Sequence, residues 1–386
     1  MMRRGRSLSF VLFACAGLAA QAAASCADSP PSAQATLDAS TDPDVVVLPP
    51  QPDADASHAC TADEWCAVAL PPSPMSLNGI WGSGPADVWI VGSPDVTLHW
   101  DGSALTTGKV GTRQTLFGVW GSGPKDVWAF SAGNAMWHSD GYSSGDAGWS
   151  FFDGDAGGWP GSIAAMGGSG ADDVWAVGAF MGQVGAPPVW HCDGWNSGVP
   201  KWQFVATSAA VPPEPEPFSF DAIWGNPESG LWIVGMGGKT RVGRKSKGTI
   251  VWKAVNSGTS MDLNAVWGVA GGDVWAAGAG GTMRRFVRGL DGEYQAAGVE
   301  FPTDATIFGM TGFAADDVWA VGSGGTVVHW NGQAWSLVSM DGDAHADGGG
   351  PDDLFSIWGS SPDDLWAVGR NTLLHKGSAA LPRKSP

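Results

Sequence analysis

Three kinds of residue that could do chemistry recur along this chain: tryptophan, aspartate and histidine. The chain of 386 residues has 23 tryptophans, and a phrase close to Asp-Val-Trp-Ala-Val-Gly returns seven times, about every 46 residues. Histidine can bind a metal ion, aspartate can act as an acid or base, and aromatic rings can form a flat binding surface. The tryptophans of the seven phrases are Trp89, Trp128, Trp175, Trp232, Trp275, Trp319 and Trp366.

The regular spacing of these residues favours structural roles over catalytic ones. Five histidines take matching positions in different copies, so we expect them to be dispersed and predict no metal site. They are His99, His138, His191, His329 and His375. We expect each to cap a hairpin or to pack on a neighbouring tryptophan. The aspartates before Val-Trp or Leu-Trp are expected to accept hydrogen bonds from turn backbone. They are Asp87, Asp126, Asp173, Asp273, Asp317 and Asp364.

The sixth copy shows which elements must position these residues. Short apolar runs at 307–311, 317–322, 326–330 and 335–338 alternate with turn residues, including 312–316 and the hairpin dipeptide Asn331-Gly332. Both faces of these runs are apolar, as expected where each sheet lies between two others. The pattern predicts an all-β protein, a seven-bladed β-propeller with four antiparallel strands in each blade.

Two further features indicate a closed ring. The third position of each first strand is small, as a crowded central axis requires; these residues are Gly79, Gly118, Ala165, Ala222, Ala265, Gly309 and Ser356. The last copy ends near His375 without a fourth run, whereas Trp65-Cys66-Ala67-Val68 matches the fourth run of the sixth copy. We therefore expect this N-terminal strand to complete the last blade, which leaves no open sheet edge.

The repeat resembles the Trp-rich propeller repeats of exported bacterial proteins and is broadly similar to Asp-box (BNR) propellers. The resemblance covers about residues 63–377 and is carried by Trp-Ala-Val-Gly and by the run from His329 to Trp335. An Asp-box has a residue between its Asp and Gly, whereas Asp or Asn directly precedes Gly here. The resemblance therefore implies the fold and transfers no activity.

The N-terminal region predicts export from the cytoplasm. Residues 1–25 read as a signal peptide, 26–60 as a flexible tether rich in Ala, Asp and Pro, and 61–386 as the propeller. Cys26 is a candidate for lipidation, with simple cleavage after Ala24 as the alternative. We expect a disulfide between Cys60 and Cys66, and a buried free thiol at Cys192.

Function is more readily sought where the copies differ, and charge gives one such difference. Cationic residues crowd the third strands and hairpins of the fourth and fifth copies, which are expected to form adjacent outer edges. They are Lys239, Arg241, Arg244, Lys245 and Lys247, with Arg284, Arg285 and Arg288. The cluster could bind an anionic glycan, a lipid headgroup or an acidic partner. The alternative is that these charges only protect edge strands.

The second difference lies at the second position of each first strand, near one mouth of the predicted channel. These residues are Asn78, Phe117, Ala164, Asp221, Asn264, Phe308 and Phe355. A mixed polar and aromatic ring suits a small ligand or a peptide, with ordinary channel filling as the alternative. In the third and sixth copies Gly167 and Thr311 replace a first-strand tryptophan, which could open pockets.

Other ligand classes have weaker support in the sequence. The net charge of −18 argues against nucleic acid and against direct membrane binding, except through a lipid anchor. Two Asp-rich loops, at 153–155 and 341–353, could offer oxygens to calcium, although neither has the spacing of a known calcium loop. We predict no other cofactor.

The sequence favours a binding protein over an enzyme. We expect an exported, envelope-anchored monomer without catalytic activity, located at the outer membrane, in the periplasm or outside the cell. Its ligand is expected to be a protein or a polysaccharide, as for an adhesin or a pilus-associated protein. The alternative is a carbohydrate-active hydrolase or lyase of the sialidase-like class. That chemistry needs an arginine cluster with a Tyr nucleophile, and the chain has only Tyr142 and Tyr294 as candidates.

Overall fold

The computed structural model describes ten segments of the chain, which contain 28 β-strands. The described residues are 63–70, 75–131, 135–143, 147–153, 161–180, 189–207, 219–246, 248–340, 352–378 and 381. In these segments the helical elements are single 3₁₀ turns, at Met236–Gly238, Ala279–Gly281 and Ser323–Gly325. None of the helices described has the length and apolar character needed to cross a membrane.

The strands form seven four-stranded antiparallel sheets, which are the blades. Blade one contains β2 (Ser76–Gly84), β3 (Asp87–Ser93), β4 (Val96–Trp100) and β5 (Leu105–Gly108). Blade two contains β6 (Leu116–Gly123), β7 (Asp126–Ser131), β8 (Ala135–Ser139) and β9 (Ser150–Asp153). Blade three contains β10 (Gly161–Gly170), β11 (Asp173–Phe180), β12 (Val189–Asn196) and β13 (Val199–Phe204). Blade four contains β14 (Phe220–Asn226), β15 (Gly230–Gly235), β16 (Thr240–Ser246) and β17 (Thr249–Ala254).

The remaining blades follow the same order. Blade five contains β18 (Leu263–Gly268), β19 (Val274–Gly278), β20 (Met283–Arg288) and β21 (Tyr294–Gly298). Blade six contains β22 (Ile307–Ala314), β23 (Asp317–Gly322), β24 (Val327–Trp330) and β25 (Trp335–Leu337). Blade seven contains β26 (Leu354–Ser361), β27 (Asp364–Gly369), β28 (Thr372–Lys376) and β1 (Trp65–Ala67).

The ring is closed by the N-terminal strand, as the sequence predicts. β1 pairs antiparallel with β28, and Trp65 lies opposite Lys376. Val68 N then donates a hydrogen bond to Leu373 O at 2.8 Å. Blade seven is therefore built from both ends of the propeller, and the fourth strand missing from its C-terminal half is supplied by the N-terminal strand.

The hydrophobic core lies between the blades. One core cluster combines Trp89 and Val91 of blade one with Leu116, Val127 and Trp137 of blade two. Because each sheet packs against a neighbour on both faces, its strands are apolar on both sides. Tryptophans are among the largest fully buried side chains, because an indole buries a large apolar area between neighbouring sheets.

The first strands crowd together at the axis. A Cβ at Gly79 would lie 2.7 Å from Gly118 Cα of the next blade, and a Cβ at Gly309 would lie 3.1 Å from Ser356 Cα. This close approach explains why the third position is small in every copy. The expected end of the first strand in the sixth copy is wrong, because β22 continues to Ala314, which pairs with Asp317 after a bulge.

Candidate functional site

In five blades an aspartate at the start of the second strand joins a tryptophan and a histidine. In blade two, Asp126 Oδ1 accepts a hydrogen bond from Trp128 Nε1 at 2.9 Å and lies 2.8 Å from His138 Nε2. Ser122 Oγ donates to Asp126 Oδ2 at 2.6 Å. We call this arrangement the Asp–Trp–His cluster. The equivalent aspartates are Asp87, Asp173, Asp317 and Asp364.

The expectation that turn backbone supplies the donors to these aspartates is wrong. The donors are side chains, because the strand register places each histidine directly beside its tryptophan; Trp128, for example, pairs with His138. The two rings are in contact, with centroids 4.7 Å apart. The expectation that the histidines pack on tryptophan is therefore confirmed, and each one also lies against an aspartate.

The electrostatics of the Asp–Trp–His cluster suit a structural role. Burial raises the pKa of the Asp126 carboxyl, but hydrogen bonds from His138 and Ser122 outweigh it and hold the pKa below its usual range. The hydrogen bond with His191 is the main reason that the pKa of Asp173 lies far below its usual range. A general acid or base works best with a pKa near the operating pH, and these carboxylates are far from it.

The five histidines are separated by the fold, one to a blade. Across the described segments, no group of three or more His, Cys, Asp or Glu side chains comes close enough to hold a metal ion. Each imidazole Nε2 already faces its aspartate at 2.7 or 2.8 Å. The Asp–Trp–His clusters therefore stabilise the blades, and the candidate functional site lies elsewhere.

The seven residues at the second position of the first strands meet in one central cavity of about 270 Å³. Each of them is the extra residue of a β-bulge; Asn78, for instance, has no partner in a ladder where Leu77 pairs with Gly92 and Gly79 with Val91. The other bulges occur at the same point of each first strand. A bulge re-aims a side chain, and seven bulges line this cavity.

Three members of this ring, Phe117, Phe308 and Phe355, are aromatic. Phe117 is 47% exposed, although phenylalanine side chains are usually buried in a core. The rings of Phe308 and Phe355 lie side by side, with centroids 5.9 Å apart. Such a group of accessible rings is suited to contact with an apolar or aromatic ligand.

The polar members of the ring differ in their environments: two asparagines make hydrogen bonds to the next blade, and one aspartate has a raised pKa. Asn78 Nδ2 donates to Leu116 O at 2.8 Å, and Asn264 Nδ2 donates to Ile307 O at 3.1 Å, so both amides link a blade to the next one. Asp221 differs, since burial raises its pKa. Among the described residues that line the cavity, Asp221 is the one carboxylate, and no arginine is present.

The basic residues lie on the third strands of blades four and five, β16 and β20, or beside them. The expectation that they form outer edges is wrong, because the fourth strands β17 and β21 lie outside them. Arg241 and Arg284 occupy equivalent positions, paired with Ile233 and Ala276. Lys245 and Arg288 are exposed, and Lys239 precedes β16.

Arg285 takes the place of the histidine in blade five. It pairs with Trp275, and its Nε and Nη2 atoms both lie 2.6 Å from Asp273 Oδ2. The guanidinium also lies over the Trp275 ring, 5.2 Å from its centroid. These contacts give Arg285 the same structural function that histidine has in five other blades.

The cysteines and several predicted sites can be placed only in part. Cys66 is disulfide-bonded, and Cys192 is a buried free cysteine whose pKa is raised by burial. Several predictions fall outside the described residues: the signal peptide 1–25, lipidation at Cys26, the tether 26–60, the disulfide partner Cys60, Lys247 and most of both Asp-rich loops.

Comparison with known proteins supports the fold. No family model and no curated protein sequence matches this chain. Among solved structures, YCF48 bound to D1 peptide is 18% identical with a TM-score of 0.59, and the match covers 83% of this chain and 99% of that one. YCF48 from Cyanidioschyzon merolae is 16% identical with a TM-score of 0.59, covering 81% and 98%.

A third similar structure is the extracellular domain of the putative one component system BT4673 from B. thetaiotaomicron. It is 12% identical with a TM-score of 0.56, and the match covers 82% of this chain and 40% of that one. At these identities the likeness establishes the propeller fold alone. These solved structures therefore support the overall fold, and the number of blades comes from the strand pairing, which gives seven sheets.

Proposed function

We propose that this protein is an exported, envelope-anchored binding protein that holds a peptide segment of a protein partner at the mouth of its central cavity. The observation that carries the proposal is the ring of seven bulge residues, in which three phenylalanines face a cavity of about 270 Å³. Aromatic residues, phenylalanine among them, are enriched at protein interfaces. We also propose that the chain belongs with the Trp-rich propellers of exported bacterial proteins, which its repeat resembles.

The chemistry of the cavity supports binding over hydrolysis. A sialidase-like site needs several arginines and more than one catalytic acid or base in one place. The described residues lining the cavity supply Asp221 as their single carboxylate and no arginine. One similar structure, YCF48, is bound to the D1 peptide, which supports a peptide as the class of ligand.

Selection from a library of random peptides displayed on phage tests the ligand class. We expect enrichment of peptides with aromatic residues, and we expect Phe117→Ala to weaken binding of a selected peptide about tenfold. Phe151→Ala is the matched control, because Phe151 is 57% exposed on β9 and is not among the residues that line the cavity. Equal losses for the two variants, or binding to a polysaccharide array without binding to any peptide, would contradict the proposal.

Export and anchoring are tested separately on the full chain in a Gram-negative host. Metabolic labelling with an alkyne fatty acid should mark the protein in the membrane fraction, and Cys26→Ser should remove the label. Cys192→Ser is the control, since Cys192 is buried in blade three. A label that survives Cys26→Ser would show that Cys26 is not the lipidated residue.

A further inference from the structure

Asp221 is the one charged residue among the described residues that line the central cavity. It is the extra residue of the bulge in β14, where Phe220 pairs with Gly235 and Ala222 pairs with Val234. In the other six blades this position carries asparagine, phenylalanine or alanine, which are neutral. The ring of bulge residues therefore has a single negative charge, and the bulge of blade four sets where it lies.

The surroundings of Asp221 lack a positive charge that could pair with it. No lysine or arginine is among the described residues that line the cavity. Asp221 is partly buried, and burial raises the pKa of its carboxyl. Ser219 offers it a hydrogen bond, and the charged group that acts on it is a second carboxylate, Asp262, which raises the pKa further. A partly buried carboxylate without a cation is costly, so a cation supplied by a ligand would be stabilised here.

Asp262 adds to the negative potential around Asp221. It directly precedes β18, and its Oδ1 accepts a hydrogen bond from Gly237 N at 2.7 Å. Gly237 lies in the 3₁₀ turn between β15 and β16, so the hydrogen bond holds Asp262 of blade five against blade four. The whole chain has a net charge of −18, so a positively charged partner would also be attracted over a longer distance.

The three phenylalanines of the ring complete a site for a positive charge. Phe117 belongs to blade two and Phe308 to blade six, so the two rings stand two blades to either side of Asp221 in the circular order. Phe355 of blade seven lies beside Phe308. The face of an aromatic ring attracts a cation, and the methylene stem of a lysine or arginine packs on apolar surface. Carboxylate and rings together therefore suit a long cationic side chain.

We propose that the central cavity holds a lysine or arginine side chain of the bound peptide, with its charged end at Asp221 and its stem against the three phenylalanines of the ring. The cavity volume of about 270 Å³ is slightly below the range of drug-sized ligand sites, about 300 to 1,000 Å³, and fits one long side chain. This inference rests on the proposed function, because it specifies which residue of the peptide enters the cavity.

Parallel phage selections with the wild-type protein and with Asp221→Asn test the inference. We expect the wild type to enrich lysine or arginine beside the aromatic residues, and Asp221→Asn to lose that enrichment, because asparagine carries no charge. Asn78 and Asn264 take the same position in blades one and five, so the variant is expected to fold, and thermal unfolding checks this. Asp304→Asn is the matched control, because Asp304 is exposed and is not among the residues that line the cavity.

Calorimetry with a selected peptide then locates the charge. The synthetic peptides are N-acetylated, so that no terminal ammonium competes for the site. Replacing the lysine or arginine of the peptide by glutamine should weaken binding to the wild type about tenfold and binding to Asp221→Asn by less than about twofold, because the two groups act as a pair. Exchanging lysine for arginine in the peptide distinguishes the two side chains.

The outcomes separate this inference from the proposed function. Selected peptides without lysine or arginine, or equal losses of affinity for Asp221→Asn and Asp304→Asn, would overturn the inference and leave peptide binding intact. If no peptide is selected by the wild type, the proposed function fails together with the inference.

Discussion

Blades two and four each have four strands, but the indole N–H of the central tryptophan donates to a different kind of acceptor in each blade. In blade two, Trp128 Nε1 donates to the carboxylate of Asp126, which His138 also contacts. In blade four, Gly230 replaces the aspartate, and Trp232 Nε1 donates instead to Ser229 O at 3.2 Å. Both indoles are fully buried. The comparison teaches that the blade needs an acceptor for its indole, and that a backbone carbonyl can replace the Asp–Trp–His cluster.

The largest expected effect is acid destabilisation through the blades that have the cluster. The pKa values of Asp87, Asp126, Asp173 and Asp364 are lowered in the folded protein. A lowered folded pKa contributes stability that is present above the unfolded value, about 3.9, and is lost as pH falls through the folded value. Urea midpoints should therefore change little from pH 7 to 5 and fall steeply below about pH 4; a flat profile to pH 2 would contradict the role of the clusters.

The next effect is loss of one cluster. Asp126→Ala should lower the free energy of unfolding by about 3 kcal/mol, because the buried donors on Trp128 and His138 lose their acceptor. Chemical denaturation measures the loss. Asp316→Ala is the control, since Asp316 is exposed in the turn before β23, and it should change stability by less than about 0.5 kcal/mol.

Restoring the aspartate to blade four should be harmful instead of helpful. Gly230 has φ of +85°, and a Cβ there would lie 2.7 Å from Gly243 O. Gly230→Asp should therefore lower the free energy of unfolding by about 2 kcal/mol in the same denaturation assay. Gly84→Ala is the matched control, because nothing lies within 4 Å of a Cβ at Gly84; a stabilising Gly230→Asp would contradict the explanation.

The smallest effect belongs to blade five, where arginine replaces histidine. Arg285→Ala removes the ion pair with Asp273 and the contact with the Trp275 ring, and should cost about 1 kcal/mol because the pair is partly solvated. Thermal unfolding with Arg288→Ala as the exposed control measures the difference. Equal melting temperatures for the two variants would show that Arg285 does not support its blade.

Much of the scaffold could be predicted from the sequence because one pattern was repeated seven times. Strand number, ring closure by Trp65–Ala67 and the small residues at the axis all follow from alignment of the copies. The sequence also predicts which residues approach the channel, such as Phe117 and Asp221. It does not predict the β-bulges that point these side chains into the cavity. The bulge that turns each of them inward depends on how the first strand pairs with the second, which a single strand's pattern does not reveal.

Contacts between distant residues were beyond the sequence, because they depend on how strands and blades pack. The strand register brings Asp126, Trp128 and His138 together. Phe313 fills the space of the ring missing at Thr311, and Ile223 of the next blade lies beside Gly167, where a Cβ would be 3.2 Å from its Cγ2. The sequence by itself therefore determined the repeat, since local patterning sets strands and turns. The tertiary structure alone decided how each irregular position is filled, since that depends on which neighbouring side chain reaches the space.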